Sequence, residues 1–320
     1  MTLVRSKTRL LLAMLGLLTL QASAAAQEAR QACAPCGKPP SKHTVAADGH
    51  PLTVWAKRPA SPRGAILLVH GRRWSALPNF DLRVPGEQRS AMDAFAASGY
   101  AAYAVDLRGY GATSRDSTGW LTPDRATADV AAVLDWIARQ EQDRRPVLLG
   151  YSRGSTIALL VAQRHPEKLS ALVLYAFPVH IDSMRPVSAD PASPPRARNT
   201  REGAAEDFIT PGAVSPALRD AYVNAAIAAD PITVDWAKMH EFNAMDPAAV
   251  RVPTLLIAGS RDPLAAGTSH SRLFMRLGTD DRTWIVLPNA DHAAHIETSH
   301  EAFVQGVTSF LSRARQKRMR

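Results

Sequence analysis

The chain has 320 residues, 46% of them hydrophobic, and its formal net charge at pH 7 is +9. This length is enough for one large α/β domain with an insertion and a sizeable core. The positive charge does not indicate nucleic-acid binding, because three charges lie in residues 5–9, five lie in residues 313–320, and no basic stripe is interleaved with aromatic residues.

The first 26 residues have the three parts of a secretory signal peptide. Arg5, Lys7 and Arg9 form a positive n-region, residues 10–20 form an apolar h-region, and small residues at 22–26 offer a cleavage site. The apolar stretch is too short to cross a bilayer, which takes about 20 residues. We expect export to the periplasm or the extracellular space without stable membrane insertion, with an uncleaved anchor as the alternative.

Residues 27–42 are expected to form a flexible N-terminal segment that contains the two cysteines of the chain, Cys33 and Cys36. In an oxidising compartment this Cys-Ala-Pro-Cys pair either closes a small local disulfide or stays unpaired. A redox role is a further alternative, but no surrounding βαβ unit supports it.

The elements that follow predict a mostly parallel sheet. Asp48 and Gly49, between alternating residues, indicate a leading antiparallel hairpin, and strands then alternate with helical patterns. The predicted helices cover residues 87–98, 124–140, 155–164, 264–277 and 299–313. Residues 314–320 are expected to form a short basic tail.

The most informative motif is Gly-Tyr-Ser-Arg-Gly at residues 150–154, which lies between an apolar strand pattern and a helical pattern. A serine on a sharp strand-to-helix turn exposes its hydroxyl, and flanking glycines let other backbone approach closely. The motif predicts a nucleophile elbow with Ser152 as nucleophile; a serine that merely caps the helix is the alternative.

An acid and a histidine follow at the ends of two later strand patterns, in the chain order that such a serine requires. Asp262 comes after the run 252–259, and His292 comes after the run 282–287. We prefer His292 to His295, which would lie about one turn further along. Asp291 is the competing acid, but it is adjacent to His292 and is therefore interpreted as a turn or cap residue.

The interval between the strand at 171–176 and the strand at 254 is too long for a simple crossover. We assign residues 178–245 to a cap, irregular up to residue 216 and helical in residues 217–242. Its Trp236, Met239 and Phe242 have helical spacing and line an acyl pocket or form an ordinary apolar face.

From about residue 45 to residue 311 the chain resembles the α/β-hydrolase superfamily. The resemblance rests on the elbow, on the strand and His-Gly turn at 65–71, and on the strand with an aspartate, an arginine and a G-x-G turn at 103–111. It implies an α/β fold: a mostly parallel sheet flanked by helices, formed by residues 43–177 and 246–313, with the cap inserted between the sixth and seventh strands. Within it, His70 and Asp106 are expected to hold loops.

The resemblance also implies an oxyanion hole, formed by the backbone N–H of Arg153 and of Arg72. Arg73 and Trp74, which follow the same turn, are candidate substrate contacts. The side chains of Arg72, Arg73 and Arg153 suggest binding of a substrate carboxylate or phosphate, although solvated or surface-paired arginines are the more ordinary interpretation.

These residues predict a secreted serine hydrolase that cleaves a carboxylic ester through Ser152, His292 and Asp262, by way of an acyl-enzyme. We expect no metal, no cofactor and no nucleic-acid partner. The same three residues also suit a lactone, thioester, amide or carbon–carbon bond, and a catalytically silent binding protein of this fold is the alternative from another class.

Overall fold

The computed structural model describes residues 37–187, 189–206, 208–265 and 267–318. The predicted signal peptide and both cysteines lie outside these residues. Within them, no helix is long and apolar enough to cross a membrane.

Eight strands form one sheet, in the spatial order β1-β2-β4-β3-β5-β6-β7-β8. The strands are β1 (Ser41–Ala47), β2 (His50–Lys57), β3 (Gly64–Val69), β4 (Tyr100–Asp106), β5 (Val147–Tyr151), β6 (Ala171–Tyr175), β7 (Thr254–Gly259) and β8 (Arg282–Leu287). β1 and β2 form the predicted hairpin and β2 pairs antiparallel with β4, while every other pairing is parallel. The predicted α/β class is confirmed.

Helices cover both faces of the sheet because successive strand residues point to opposite sides. They are α1 (Ala76–Phe80), α2 (Ala91–Ala97), α3 (Pro123–Gln140), α4 (Arg153–Arg164), α5 (Arg201–Ala205), α6 (Pro216–Ala229), α7 (Gly267–Arg276) and α8 (His300–Arg318). In β3, Leu67 and Val69 belong to the core under α3 and α4, whereas Ile66 and Leu68 belong to the core under α2 and α8.

Four helix bounds differ from the prediction by two residues or more, and one of them is the start of α7 at Gly267 instead of residue 264. α2 begins at Ala91 because Ser90 caps it, accepting from Asp93 N at 2.9 Å, while Glu87–Gln88 pairs with Arg83–Val84 as a short hairpin. α4 begins directly after Ser152. The last helix continues to Arg318 instead of ending at residue 313, and the buried Ala314 extends its apolar face.

The cap lies between β6 and β7, as predicted, and its second half is only partly helical. α6 ends at Ala229 because Asp230 precedes Pro231, and the residue before a proline is driven out of the helical region. Trp236 therefore lies in an extended segment, where it pairs with Leu121, and a 3₁₀ helix covers Met239–Ala244. The continuous helical spacing predicted for Trp236, Met239 and Phe242 is wrong.

Asp230 attaches the end of α6 to the main domain. Its two carboxylate oxygens accept from Ser75 N at 2.7 Å and from Gly111 N at 2.8 Å. Both donors lie in loops at the carboxyl ends of strands, so this buried carboxylate fixes the cap over the edge of the sheet where parallel α/β proteins bind ligands.

Candidate active site

Ser152 occupies the sharp turn between β5 and α4. Its φ of 52° and ψ of −120° are strained for a residue with a side chain, which costs about 1–3 kcal/mol. The flanking glycines make the turn possible: a Cβ on Gly150 would lie 2.1 Å from the Gly154 carbonyl oxygen, and one on Gly154 would lie 2.3 Å from that of Val69. The motif thus folds as the sequence predicts, and the serine hydroxyl stands clear of the helix.

His292 and Asp262 meet this serine at the carboxyl edge of the sheet. His292 Nε2 lies 2.9 Å from Ser152 Oγ, and its Nδ1 lies 2.9 Å from Asp262 Oδ2. The second carboxylate oxygen of Asp262 accepts from Leu264 N at 2.9 Å. Since a carboxylate only accepts, Nδ1 of the neutral imidazole carries the proton and Nε2 is left to accept from the serine hydroxyl.

The other candidates for the acid and the histidine have different neighbours. His295 is fully buried, with Nδ1 3.0 Å from Tyr175 Oη, and burial lowers its pKa to about 3, so it stays neutral. The Tyr175 hydroxyl also donates to the His292 carbonyl oxygen at 3.1 Å and so supports the His292 loop. Asp291 accepts from Thr210 N of the cap at 2.8 Å and from Ala293 N at 3.3 Å, as a turn residue does.

The loop after β3 approaches the elbow from the other side. His70 accepts from Leu107 N at 3.2 Å through Nε2, and its Nδ1 donates to the Gly71 carbonyl at 2.9 Å; burial lowers its pKa to about 4. A Cβ on Gly71 would lie 3.4 Å from Ser152 Cβ, so the loop passes directly beside the serine. The backbone N–H groups of Arg72 and Arg153 donate to no acceptor in the described part of the chain.

Asp106 fixes the start of α1 below this loop. Its carboxylate accepts from Trp55 Nε1 and Ala76 N, each at 2.9 Å, and from Ala112 N at 3.0 Å. Burial raises its pKa to about 6 in spite of these donors. Both His70 and Asp106 therefore hold loops, which is the role expected of them.

Two cavities meet at Arg72 and Arg153. One, of about 320 Å³, contains Ser152 and His292 and is bordered by Arg73, Trp74 and Glu206. The other, of about 250 Å³, lies under the cap beside Trp120, Trp236 and Met239. The cap thus divides the space over the sheet into a compartment at the serine and a second compartment behind the arginines.

The side chains predicted to contact substrate differ in what they do. Arg73 forms a surface ion pair with Glu206 at 2.8 Å, the ordinary outcome considered for these arginines. Trp74 is buried among cap residues and borders the cavity with its ring. Arg153 is partly buried and forms no ion pair with an acid among the described residues: its guanidinium lies 5.6 Å from the ring centre of Trp236 and 5.3 Å from that of Phe242. The cap aromatics therefore shield part of this side chain from solvent.

Three residues of the site were missed by sequence reasoning. Tyr175 and Asp230 act through hydrogen bonds between segments distant in the sequence, and only the Asp-Pro pair at 230–231 signals a helix end. Arg185 lies in the irregular half of the cap, 5.1 Å from the Phe242 ring centre, where no periodicity marks it. No cluster of metal-ligating side chains occurs among the residues that the structure describes.

This fold and elbow define an α/β hydrolase. The family model described as "Serine aminopeptidase, S33" matches residues 60–299, and the chain belongs to this Hydrolase_4 family. A comparison with curated proteins gave no match.

Several solved structures of serine hydrolases share the fold. A serine hydrolase involved in carbazole degradation (CarC) is 21% identical, with a TM-score of 0.64, covering 85% of this chain and 99% of its own. A thermophilic esterase from Thermogutta terrifontis is 19% identical, with a TM-score of 0.61 over 87% of this chain and 99% of its own. The meta-cleavage product hydrolase CumD from Pseudomonas fluorescens IP01 is 18% identical, with a TM-score of 0.61, covering 85% of this chain and 98% of its own. At these identities the similarity shows the fold alone.

Proposed function

We propose that the protein is a secreted serine hydrolase that cleaves carboxylic esters, with Ser152 as nucleophile, His292 as general base and Asp262 as its orienting acid. The observation that carries the proposal is the continuous line of hydrogen bonds from Asp262 through His292 to Ser152, each 2.9 Å long. A binding protein has no need of three such groups in register at the floor of a cavity.

The reaction begins with attack of Ser152 Oγ on the ester carbonyl carbon. His292 Nε2 removes the hydroxyl proton as the new bond forms, and Asp262 stabilises the resulting imidazolium at Nδ1. The tetrahedral intermediate places negative charge on the former carbonyl oxygen. The unpaired N–H groups of Arg72 and Arg153 stabilise this charge, each by about 3–4 kcal/mol.

His292 then donates its proton to the leaving alcohol, and the C–O bond breaks to give an acyl-enzyme on Ser152. Water attacks this ester with His292 again as base, which releases the acid and restores the hydroxyl. Every proton in this sequence moves between Ser152, His292, substrate and water, so the chain's own residues complete the cycle.

Amide cleavage is a second candidate, favoured by the name of the matching family model. An aminopeptidase must bind the α-ammonium group of its substrate. The charged side chains that line the cavity at Ser152 are mainly arginines, and Glu206, the lining carboxylate, is paired with Arg73. The surroundings of the nucleophile therefore favour an ester over an α-ammonium substrate.

The test is fluorophosphonate labelling of wild type beside Ser152→Ala, with turnover of 4-nitrophenyl esters, thioesters and aminoacyl 4-nitroanilides measured in parallel. We expect labelling to vanish in the variant and kcat to fall by about 10⁴-fold or more. Ser271→Ala, on the exposed side of α7, is the matched control and should keep both.

Two outcomes would overturn the proposal. Nitroanilide cleavage without ester cleavage would establish the aminopeptidase, and a folded wild type that is neither labelled nor active would indicate a binding protein. The mass of the labelled protein, produced from the full chain in a bacterial host, tests secretion at the same time, because export predicts removal of the first 24–26 residues.

A further inference from the structure

Two arginines lie at the boundary between the two cavities, and a third lies beside one of them. Arg72 and Arg153 line both cavities, and Arg185 lies beside Arg153, with the Phe242 ring in contact with both guanidinium groups. They come from three different segments, the loop after β3, the start of α4 and the cap. Their proximity is therefore a property of the tertiary structure.

Arg153 has far fewer hydrogen-bond partners than donors. A guanidinium group carries five N–H bonds, and among the described residues the Arg153 side chain has one hydrogen-bond acceptor, the sulfur of Met239, 3.5 Å from Nη1. A thioether is a weak acceptor, and the Trp236 and Phe242 rings stabilise the positive charge without supplying a strong hydrogen-bond acceptor. Most of the guanidinium donors therefore have no strong acceptor among the described residues.

The nearby carboxylates do not neutralise this charge. Glu206 is paired with Arg73, and Asp235, in the wall of the second cavity, lies 3.5 Å from Arg115 and accepts from Arg196 N. No acid lies within 4.0 Å of the guanidinium groups of Arg72, Arg153 or Arg185 among the described residues. None of the three arginines thus has an acid as counterion; Arg72 is exposed, and Arg153 and Arg185 are partly buried.

Arg153 and Arg185 are held in place despite the repulsion between their positive charges. Asn243 accepts from Arg185 N and donates to its carbonyl oxygen, both at 2.8 Å, which fixes the cap segment to the 3₁₀ helix. Burial, together with the charges of Arg185 and Arg72, lowers the pKa of Arg153 to about 10, and the group remains charged at neutral pH. A partly buried, preorganised cation forms charge-assisted hydrogen bonds with an anion, and these bonds are stronger where water is partly excluded.

We propose that Arg153, Arg72 and Arg185 bind an anionic oxygen group, a carboxylate or a phosphate, that is part of the ester substrate. This inference rests on the proposed ester hydrolysis and names its substrate class. Arg153 directly follows the nucleophile. Its backbone N–H therefore donates to the oxyanion of the reacting carbonyl, while its side chain binds the separate anionic group of the substrate on the cap side. The compartment of about 250 Å³ behind it has room for a charged group on a short linker.

The experiment compares kcat/KM for pairs of esters that differ in charge at matched size. The acyl-side pair is 4-nitrophenyl hydrogen glutarate with 4-nitrophenyl pentanoate, and the alcohol-side pair is 4-carboxyphenyl butyrate with 4-methylphenyl butyrate. A phosphonate analogue of the glutarate distinguishes phosphate from carboxylate. Wild type should prefer the anionic member of one pair by about tenfold or more, the range of a charged hydrogen bond.

The variants are Arg153→Met and Arg153→Lys, with Arg72→Ala and Arg185→Met as independent members of the cluster. Because the backbone N–H of Arg153 belongs to the proposed oxyanion hole, the readout is the ratio of kcat/KM for the anionic ester to kcat/KM for the neutral ester within each variant. In Arg153→Met this preference for the anionic ester should disappear. Arg153→Lys should keep part of it, because the charge stays and the planar fork is lost. The control is Arg164→Met at the other end of α4, which removes the same charge from a surface pair with Asp124.

Binding is also measured without turnover. Glutarate or inorganic phosphate should raise the Tm of Ser152→Ala, and this shift should be absent in Ser152→Ala with Arg153→Met. If wild type has no preference for any anionic ester, or if Arg153→Met keeps that preference, the proposal is wrong. If no ester is cleaved but the Arg153-dependent Tm shift persists, the anion site stands and the proposed hydrolysis fails.

Discussion

Two arginines near the same edge of the sheet, the buried Arg108 and the partly buried Arg153, have opposite surroundings. Arg108 donates to both carboxylate oxygens of Asp129, each at 2.7 Å, and also to Asp116 and to the Ala47 carbonyl oxygen. Arg153 has two aromatic rings and a thioether as its neighbours. The N–H donors of Arg108 have strong acceptors within the protein, whereas most of those of Arg153 remain available to a ligand.

The hydrogen-bond partners of each guanidinium group, rather than its burial, distinguish an arginine that stabilises the fold from one that is available to bind a ligand. The hydrogen bond with Asp129 raises the pKa of Arg108, whereas burial lowers the pKa of Arg153. Both arginines are charged at neutral pH, but the folded structure favours the charged form of Arg108 and disfavours that of Arg153. The difference predicts which of the two residues the folded state depends on.

Arg108→Met should produce the largest loss of stability. It removes the partner of the buried Asp129 and leaves an uncompensated carboxylate, which costs about 3–5 kcal/mol in the free energy of unfolding. Denaturant titration measures this loss. Arg153→Met leaves no acid behind, so its free energy of unfolding should change by less than about 1 kcal/mol; equal losses in the two variants would contradict the comparison.

A buried acid without a counterion extends the comparison, since a carboxyl group can neutralise itself by taking up a proton. Glu297 is buried against Asp291, and its Oε2 accepts from Asp291 N at 3.0 Å. Burial and, to a smaller extent, the neighbouring Asp291 carboxylate raise the pKa of Glu297 from its ordinary value of 4.5 to about 9, although the Asp291 N–H opposes this rise. An arginine has no such route, because its guanidinium stays charged.

The raised pKa of Glu297 makes the protein less stable in alkali. The folded state keeps a proton that the unfolded chain has already lost, so its contribution is complete below about pH 4.5 and is lost as the pH rises towards 9. Glu297→Gln mimics the protonated form and should raise the Tm at pH 8.5 by about 2–4 °C, with little change at pH 5. If the Tm of Glu297→Gln and the Tm of wild type change in parallel with pH, Glu297 is not protonated in the folded state.

The surface ion pair between Arg73 and Glu206 should have the smallest effect. Their side chains are 43% and 64% exposed, and exposed pairs contribute about 0.2–1 kcal/mol. We expect Arg73→Ala to change the free energy of unfolding by no more than this and to leave the preference for anionic esters nearly intact. Glu206→Gln releases Arg73 and should increase that preference slightly; a large loss in Arg73→Ala would make Arg73 part of the anion site.

Much of the main domain could be predicted from local patterns. The hairpin at Asp48 and Gly49, the alternation of strands and helices, and the turn at Ser152 depend on near neighbours in the sequence. The start of α2 was misplaced because Ser90 as cap competes with an equally plausible helical run before it. The prediction of helical structure up to residue 242 extends beyond the end of α6 because the helical periodicity around residues 230–231 outweighs the Asp-Pro signal there.

The sequence by itself determined the fold class, the cap position and three residues whose order suits a serine hydrolase, because parallel strands bring their carboxyl ends to one edge. Only the tertiary structure decided that His292, and not His295, reaches Ser152, since a hydrogen bond of 2.9 Å depends on packing across 140 residues. It also decided that Arg153 lies against Trp236 and Phe242 while Arg73 pairs with Glu206. The sequence gives the charged residues, but the partner of each charge depends on which distant segments the fold brings together.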